Sequence, residues 1–211
     1  MANKKIYKGV DISRHNKMCS DFKVLKEDGY DFVIIRIGGS NGGHYKDPKF
    51  NEYYNKAKKA GLKVGCYYDT GREFHGMQAG LDDAGHMLKL MQGYQFDYPV
   101  YMDIETAATV YKTDITQAAI AFGNHLEQNG YFVGIYASDI SGFKDRLILE
   151  KVERFTLWVA RYGNEPQYVK NYAMWQKSSK GVIGACQNYI DIDESYVNFS
   201  TIIKKKHLNG Y

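Results

Sequence analysis

Eight short segments rich in strand-forming residues recur along the chain, at intervals too long for β-hairpins. Most of these intervals carry a helical pattern with start and stop signals, and the clearest pattern spans residues 113–130. Regular alternation of strand and helix is typical of a parallel sheet built from right-handed β-α-β units. We predict strands at residues 6–12, 32–37, 63–68, 100–105, 132–136, 157–160, 173–176 and 189–192.

The number of predicted strands indicates whether such a sheet stays open or closes on itself. Eight strands favour closure into a barrel, and 211 residues suit one domain with a full core. The segment from Trp158 to Asp191 is too short for full helices between the last strands. We therefore predict an α/β fold with a single irregular (β/α)8-like barrel, which is TIM-barrel-like but lacks some outer helices.

Composition argues against several classes of protein. A hydrophobic share of 44% and a charged share of 25% are ordinary for a globular domain, and no apolar run reaches the length of a membrane span. The N-terminus has no apolar signal core. The net charge of +4 is dispersed and accompanies no nucleic-acid-binding motif. We expect no membrane partner and no nucleic-acid partner, and the oligomeric state is left open.

The cysteines and histidines do not indicate a metal site. Cys19, Cys66 and Cys186 are odd in number and far apart, so neither a disulfide framework nor a cysteine-based zinc site is predicted. The six histidines show no metal-ligand spacing. We expect plain thiols, no metal and no cofactor.

The stretch PVYMDIETA, residues 99–107, places two acids on a predicted strand. Because side chains alternate along a strand, Tyr101, Asp103 and Glu105 share one face, and Val100, Met102 and Ile104 share the other. The Cα atoms of the two acids then lie roughly 6.6 Å apart, so both carboxyl groups can reach one small group.

Other acids also end predicted strands. The C-terminal strand ends of a parallel barrel line one open face, where active sites of such barrels lie. If the barrel closes, the first and eighth strands are neighbours and Asp11 meets Asp191. Crowded carboxylates cannot all ionise freely, so at least one is expected to have a raised pKa, as a general acid requires. The acids at predicted strand ends are Asp11, Asp69, Asp103 with Glu105, and Asp191 with Asp193.

Aromatic residues accompany these acids. Their flat faces suit the apolar faces of sugar rings, and paired acids lined by aromatic rings are typical of glycoside cleavage. The aromatic residues near the same rim are Tyr67, Tyr68, Tyr101, Tyr136, Trp158, Tyr162 and Trp175.

Seven segments, in order, make the chain resemble a known family. They are GVDISRHN at 9–16, DFVIIRIGGSNGGHYKDPKF at 31–50, AGLKVGCYY at 60–68, GYQFDYPVYMDIE at 93–105, GIYAS at 134–138, LWVARYG at 157–163 and MWQKSSKGVIGACQNYIDID at 174–193. With these segments the sequence resembles the glycoside hydrolase family 25 lysozymes, the muramidase type found in phage endolysins and bacterial autolysins.

This resemblance implies a flattened β/α barrel that cleaves the β-1,4 bond between N-acetylmuramic acid and N-acetylglucosamine in bacterial peptidoglycan. Glu105 matches the general acid of the family, and Asp103 matches the partner carboxylate that positions the substrate's N-acetyl group. Asp11 and Asp191 match two further acids of the site. The expected substrate-binding residues are Tyr67, Arg36, Trp175, Gln176, Tyr136, Trp158 and Asp193.

The chain also departs from the family pattern. Asp193 stands where the family often has asparagine, and the pair Tyr67–Tyr68 stands where some members have Tyr-His. Many members attach repeats that bind the cell wall, whereas we expect residues 1–211 to form one catalytic domain without a separate wall-binding domain. We expect action on the bacterial cell wall after synthesis in the host cytoplasm and release at lysis, as for a phage or prophage endolysin; a spore or autolytic enzyme fits nearly as well.

Three other functions stay open from the sequence. A chitinase-like barrel also carries acids at its fourth strand, although YPVYMDIE supplies only the last pair of the Asp-x-x-Asp-x-Asp-x-Glu signature. A divalent-metal hydrolase could use the acids as oxygen ligands. A glycan-binding barrel without catalysis is the third. Whether Asp103 stabilises the anomeric charge directly or through the substrate's acetamido oxygen also stays open.

Overall fold

Eight strands close into a barrel in the computed structural model, which describes residues 5–18, 21–107 and 111–211. In chain order the strands are β1 Tyr7–Ile12, β2 Phe32–Gly39, β3 Tyr45–Lys46, β4 Lys63–Asp69, β5 Val100–Asp103, β6 Val133–Ser138, β7 Thr156–Ala160, β8 Met174–Gly181 and β9 Ile190–Ser195. The order around the barrel is β1-β9-β8-β7-β6-β5-β4-β2, pairing of β1 with β2 closes the ring, and β3 lies beside β2. The predicted barrel is confirmed, and every predicted strand is present.

Helices cover part of the outside of the barrel. They are α1 Lys23–Glu27, α2 Phe50–Lys59, α3 Gly76–Met91, α4 Lys112–Gln128, α5 Leu149–Val152 and α6 Phe199–Lys205, with a π-helical turn at Asp139–Lys144. After α4, Gly130 adopts a φ of 81°, a left-handed conformation that favours glycine. No helix occurs within residues 161–189, all of which are described, so outer helices are missing there as predicted. Within the described ranges, every helix is too short or too polar to cross a bilayer.

The last strand corrects the predicted all-parallel sheet, because β9 runs antiparallel to both of its neighbours, β1 and β8. Only residues 182–189 separate β8 from β9, whereas a parallel crossover needs about a dozen residues or more. The chain therefore turns back as a hairpin, and Asp191 lies near the beginning of its strand instead of its end. This beginning lies at the same end of the barrel as the C-terminal ends of the parallel strands, which we call the mouth.

Side-chain alternation gives each strand an inner and an outer face. Val100 and Met102 pack in the outer core that the helices cover, whereas Tyr101 packs inside the barrel against Trp158 at 5.1 Å between ring centroids. The predicted division of faces on this strand is therefore confirmed for these residues. The interior is closely packed, since a Cβ at Gly134 would lie 2.3 Å from the Tyr101 ring.

The end of the barrel opposite the mouth, which we call the floor, is closed by α6. Phe199 and Ile203 of this helix pack with Phe32 and Tyr98 in the interior cluster. The rings of Tyr98 and Phe199 meet edge to face at 5.4 Å between centroids. The interior at the floor is therefore filled mainly by aromatic and aliphatic side chains, whereas the inward-facing carboxyl groups cluster toward the mouth.

Asp97 connects α6 to the floor through several partners. Its carboxylate lies 3.1 Å from Lys58 Nζ and 3.0 Å from Lys204 Nζ, and it accepts a hydrogen bond from the Tyr211 hydroxyl at 2.9 Å. Burial by itself would raise the pKa of Asp97, but these partners outweigh it and lower the pKa to about 2. Because this folded value lies below the ordinary 3.8, the stabilisation is present above about pH 4 and is lost as the pH falls toward 2.

Replacement of Asp97 by asparagine is expected to lower the free energy of unfolding at pH 7 by about 2 kcal/mol, because the lysines lose their counter-charge. Thermal unfolding should then occur roughly 4–8 °C lower at pH 7, with a much smaller difference near pH 2. Asp28→Asn, at an exposed acid, is the control. An equal destabilisation at both pH values would contradict the ion-pair explanation.

Candidate active site

A pocket of about 140 Å³ opens at the mouth of the barrel. It brings together both halves of the chain, because its lining comes from β1, β4, β5, β6, β7, β8 and β9 and from the segments that follow β5 and β7. Eight of the residues predicted for the site line it, together with Tyr162. The lining residues are Asp11, Tyr67, Asp103, Glu105, Tyr136, Trp158, Tyr162, Gln176 and Asp191.

Strand register explains why the acids converge. Asp11 on β1 is the direct partner of Asp191 on β9, and Asp103 on β5 is the partner of Asp69 on β4. Glu105 lies just beyond the end of β5, where the Ile104 amide still donates to a backbone carbonyl of β6 at 3.0 Å. The strand geometry therefore continues long enough to keep Glu105 on the inner face.

The pair Asp103 and Glu105 differs in depth. Asp103 is 9% exposed, and its burial is the main cause that raises its pKa well above the ordinary value. The negative charge of Glu105 adds to this increase. The positive charge of Arg36 opposes this increase. Glu105 is exposed at the mouth, and its partial removal from water raises its pKa less strongly than burial does for Asp103. A hydrogen bond donated by the Tyr136 hydroxyl would oppose this increase, as does the charge of Arg146. Two interacting carboxyl groups therefore lie side by side at the opening.

Three further acids lie across the pocket from this pair. Burial and the charges of Asp191 and Asp193 raise the pKa of Asp11 well above the ordinary value. Burial and the charge of Glu105 raise the pKa of Asp191 to about 6. Asp193 is fully buried beneath them, and its Oδ1 accepts a hydrogen bond from Trp158 Nε1 at 2.9 Å.

Gln176 links the two sides of the pocket. Its Nε2 donates to Asp11 Oδ2 at 2.7 Å, and its Oε1 accepts from the hydroxyl groups of Tyr136 at 2.8 Å and Tyr162 at 3.1 Å. The Tyr136 hydroxyl oxygen also lies 3.2 Å from Glu105 Oε1. A continuous chain of polar contacts therefore joins Asp11 to Glu105.

Three predicted site residues do not line the pocket. Asp193 lies below it, and Arg36 Nε donates to Asp47 at 2.8 Å behind it. Trp175 faces the opposite side of β8 from Gln176, because adjacent residues on a strand alternate, and its Nε1 donates to the Arg161 carbonyl at 2.7 Å. The structure therefore brings Trp175 to the outside of the barrel and not to the pocket.

Two residues from loops, Tyr162 and Arg146, complete the site, although the sequence did not predict them as site residues. Tyr162 follows β7 and lines the pocket, although the sequence indicated only that it was near the rim. Arg146 donates from Nε to the Ala107 carbonyl at 2.6 Å and also to the Ser141 carbonyl, beside the segment that carries Glu105. No pattern in the sequence around Arg146 indicates this contact.

Two of the three cysteines lie in the described part of the chain. Cys66 and Cys186 are free, whereas Cys19 lies outside the described residues. Within the described part of the chain, no three side chains from His, Cys, Asp and Glu are arranged to hold a metal ion.

Comparison with known proteins adds independent information. The family model described as Glycosyl hydrolases family 25 matches residues 10–186 of the chain. The Autolytic lysozyme of Clostridium acetobutylicum is 28% identical over 190 residues, which cover 89% of this chain and 55% of that protein. The Probable GH family 25 lysozyme 2 of Dictyostelium discoideum is 30% identical over 164 residues, which cover 76% of this chain and 74% of that protein. The chain thus spans about half the length of the clostridial relative.

A solved structure also matches the fold. The crystal structure of the CTP1L endolysin aligns with a TM-score of 0.80 and 28% sequence identity, over 94% of this chain and 70% of that one. The barrel fold is therefore shared with a protein named as an endolysin.

Proposed function

Because the chain belongs to the glycosyl hydrolases of family 25, we propose that it is a lysozyme acting on the bacterial cell wall. The bond cleaved in this proposal is the β-1,4 bond between N-acetylmuramic acid and N-acetylglucosamine in peptidoglycan. The relatives named as lysozymes and as an endolysin support this substrate.

One observation carries the proposal: Glu105 and Asp103 lie side by side in an open pocket, and both have raised pKa values. Glycoside cleavage needs one carboxyl group that supplies a proton and a second that faces the developing positive charge. Glu105 is the exposed member of the pair, so its carboxyl group can reach the oxygen of a bound polymer chain.

The division of roles follows from the surroundings of each acid. Glu105 donates its proton to the leaving oxygen as the glycosidic bond breaks. Asp103, near the positive charge of Arg36, faces the sugar as a carboxylate, where it stabilises the anomeric charge or positions the acetamido group that does so. Asp11 and Asp191 add hydrogen-bonding carboxyl groups across the pocket, and Tyr67 and Tyr162 present aromatic faces to the sugar rings.

The deciding experiment is digestion of purified peptidoglycan, followed by borohydride reduction and mass spectrometry of the released muropeptides. We expect new reducing ends on N-acetylmuramic acid. Reducing ends on N-acetylglucosamine alone would contradict the proposed bond.

The same preparation separates the other functions. Cleavage of chitin oligomers without cleavage of peptidoglycan would indicate a chitinase-like enzyme. Loss of activity in excess chelator, restored by a divalent cation, would indicate a metal hydrolase. Sedimentation of the protein with cell walls without release of reducing ends would indicate a glycan-binding barrel.

A further inference from the structure

The proposed reaction needs a proton on Glu105, but burial favours the neighbouring acid. Removal from water raises the pKa of buried Asp103 more strongly than that of exposed Glu105. When two close carboxyl groups share one proton, burial alone therefore places it on Asp103. A specific contact of Glu105 is needed to place the proton on the acid that faces the substrate.

The amide of Gln176 has a defined orientation. Gln176 is 3% exposed, so its polar atoms depend on protein partners. Asp11 Oδ2 accepts a hydrogen bond from the amide nitrogen, whereas each of the two tyrosine hydroxyl groups has a proton to donate. The amide therefore directs Nε2 to Asp11 at 2.7 Å and Oε1 to the tyrosines.

This orientation determines where the Tyr136 proton points. A tyrosine hydroxyl carries one proton, yet its oxygen lies near two acceptor atoms, Gln176 Oε1 at 2.8 Å and Glu105 Oε1 at 3.2 Å. The shorter contact, to an amide oxygen with no proton of its own, takes the Tyr136 proton. The remaining contact is a hydrogen bond only if Glu105 supplies the proton.

We propose that Gln176 is a positioning residue that holds the Tyr136 hydroxyl proton away from Glu105, so that Glu105 stays protonated and donates to the Tyr136 oxygen until substrate binds. The inference rests on the proposed function, because it explains how the general acid of that function keeps its proton before substrate binds. It adds a function for Gln176 that is distinct from contact with substrate.

Other charged and titratable groups face Glu105 from several elements and affect its protonation. Negative charges favour the protonated form, whereas Arg146 and any hydrogen bond that the Tyr136 hydroxyl donates to Glu105 oppose it. These groups are unchanged in Tyr136→Phe and Gln176→Met, so a shift of the Glu105 midpoint in those two variants reports the contact with Tyr136. The groups are Asp69 on β4, Asp103 on β5, Asp191 on β9, Tyr162 after β7 and Arg146 before α5.

The test is a 13C NMR titration of the Glu105 carboxyl carbon, assigned by its absence in Glu105→Gln. Tyr136→Phe removes the acceptor of the Glu105 proton, and Gln176→Met frees the Tyr136 proton to turn toward the Glu105 carboxylate. Both variants should lower the titration midpoint by on the order of half to one pH unit. The alkaline limb of the kcat/KM profile on peptidoglycan should move to lower pH by the same amount.

Tyr162→Phe is the matched control, since it removes the other hydroxyl group on Gln176 Oε1 and leaves the contact between Tyr136 and Glu105 intact. Its Glu105 midpoint should equal that of the wild type. A higher midpoint in Tyr136→Phe, or no shift, would overturn the proposal, since it would mean that Tyr136 donates to Glu105 or does not affect it.

The experiment separates this inference from the proposed function. If Gln176→Met does not fold, as judged by circular dichroism, Tyr136→Phe decides the question because it retains Gln176. If the wild type releases no reducing ends from peptidoglycan, the proposed function fails, while the NMR midpoints still report on the hydrogen bonds of Glu105.

Discussion

Glu105→Gln is expected to lower kcat on purified peptidoglycan by roughly 10³-fold, within the range that a general acid contributes. Glutamine has nearly the same shape as glutamate but carries no proton that it can transfer to a leaving oxygen. Glu105 is exposed and makes one side-chain hydrogen-bond contact among the described residues, at 3.2 Å from the Tyr136 hydroxyl. Folding should therefore be unaffected, and Tm should stay within about 2 °C of the wild type.

The measurement is the rate of reducing-end release, with thermal unfolding recorded on the same samples. Glu73→Gln is a suitable control, because Glu73 lies on the loop after β4 and its side chain is 95% exposed. That variant should keep the wild-type rate. If Glu105→Gln kept more than about a hundredth of the activity, Glu105 would not be the general acid.

The largest expected effect on stability is at Asp139, at the start of the π-helical turn. This carboxylate is 2% exposed and accepts backbone hydrogen bonds from Gln167 at 2.7 Å and Val169 at 3.0 Å. It also accepts from the Tyr168 amide at 3.1 Å and from Arg161 Nη1 at 2.8 Å. Asp139 therefore holds the loop that follows β7, which also carries Tyr162.

Asp139→Ala should lower the free energy of unfolding by about 3 kcal/mol, because three backbone donors and a guanidinium group lose their partner together. Chemical denaturation at pH 7 measures this, with Asp145→Ala at a nearby exposed acid as the control. The free energy of unfolding of Asp139→Asn should lie between those of Asp139→Ala and the wild type, because one carbonyl oxygen remains as an acceptor. A change below about 1 kcal/mol in Asp139→Ala would show that the loop is held by other contacts.

The pH dependence at Asp139 has a definite sign. Burial would raise the pKa of Asp139, but its backbone hydrogen bonds and Arg161 outweigh burial, so the pKa is lowered. A lowered folded pKa stabilises the protein above the ordinary value of 3.8, and this contribution is lost as the pH falls through the folded value. The difference in stability between wild type and Asp139→Ala should therefore shrink as the pH falls below 3.8 and through the folded pKa of Asp139.

Much of the barrel could be predicted because strands carry a period of two. Residues 100–105 already show which side chains face inward, since Val100 and Met102 alternate with Tyr101 and Asp103. The same period says nothing about the direction of a strand, so the reversal of β9 was missed. Only the short connection at 182–189 carried that information.

The proximity of Asp11 and Asp191 was predicted correctly, but from a wrong direction of the last strand. The prediction assumed that Asp191 ends a parallel strand, whereas in the structure it lies near the start of an antiparallel one. Both arrangements bring residue 191 to the mouth, because reversing a strand exchanges its ends. Inward orientation of both residues then follows from their being direct partners in the register.

Site residues outside the strands could not be predicted in the same way. Tyr162 and Arg146 lie in connections whose shape depends on contacts with distant residues, such as those of Asp139 with the loop at Gln167. Trp175 and Gln176 are adjacent in one motif, and a motif alone does not say which of them faces inward. The pairing of β8 with its neighbours decides this.

The antiparallel direction of β9 also determines where another protein or a tag can be fused. The first described residues enter β1 from the floor, and β9 returns the chain there before α6. A fluorescent protein or an immobilisation tag joined to Tyr211 by a flexible linker is therefore kept away from the pocket by the height of the barrel. Such a fusion should leave a bulky, cross-linked polymer free to approach Glu105, so that the enzyme can be fixed to a solid support with its working side outward.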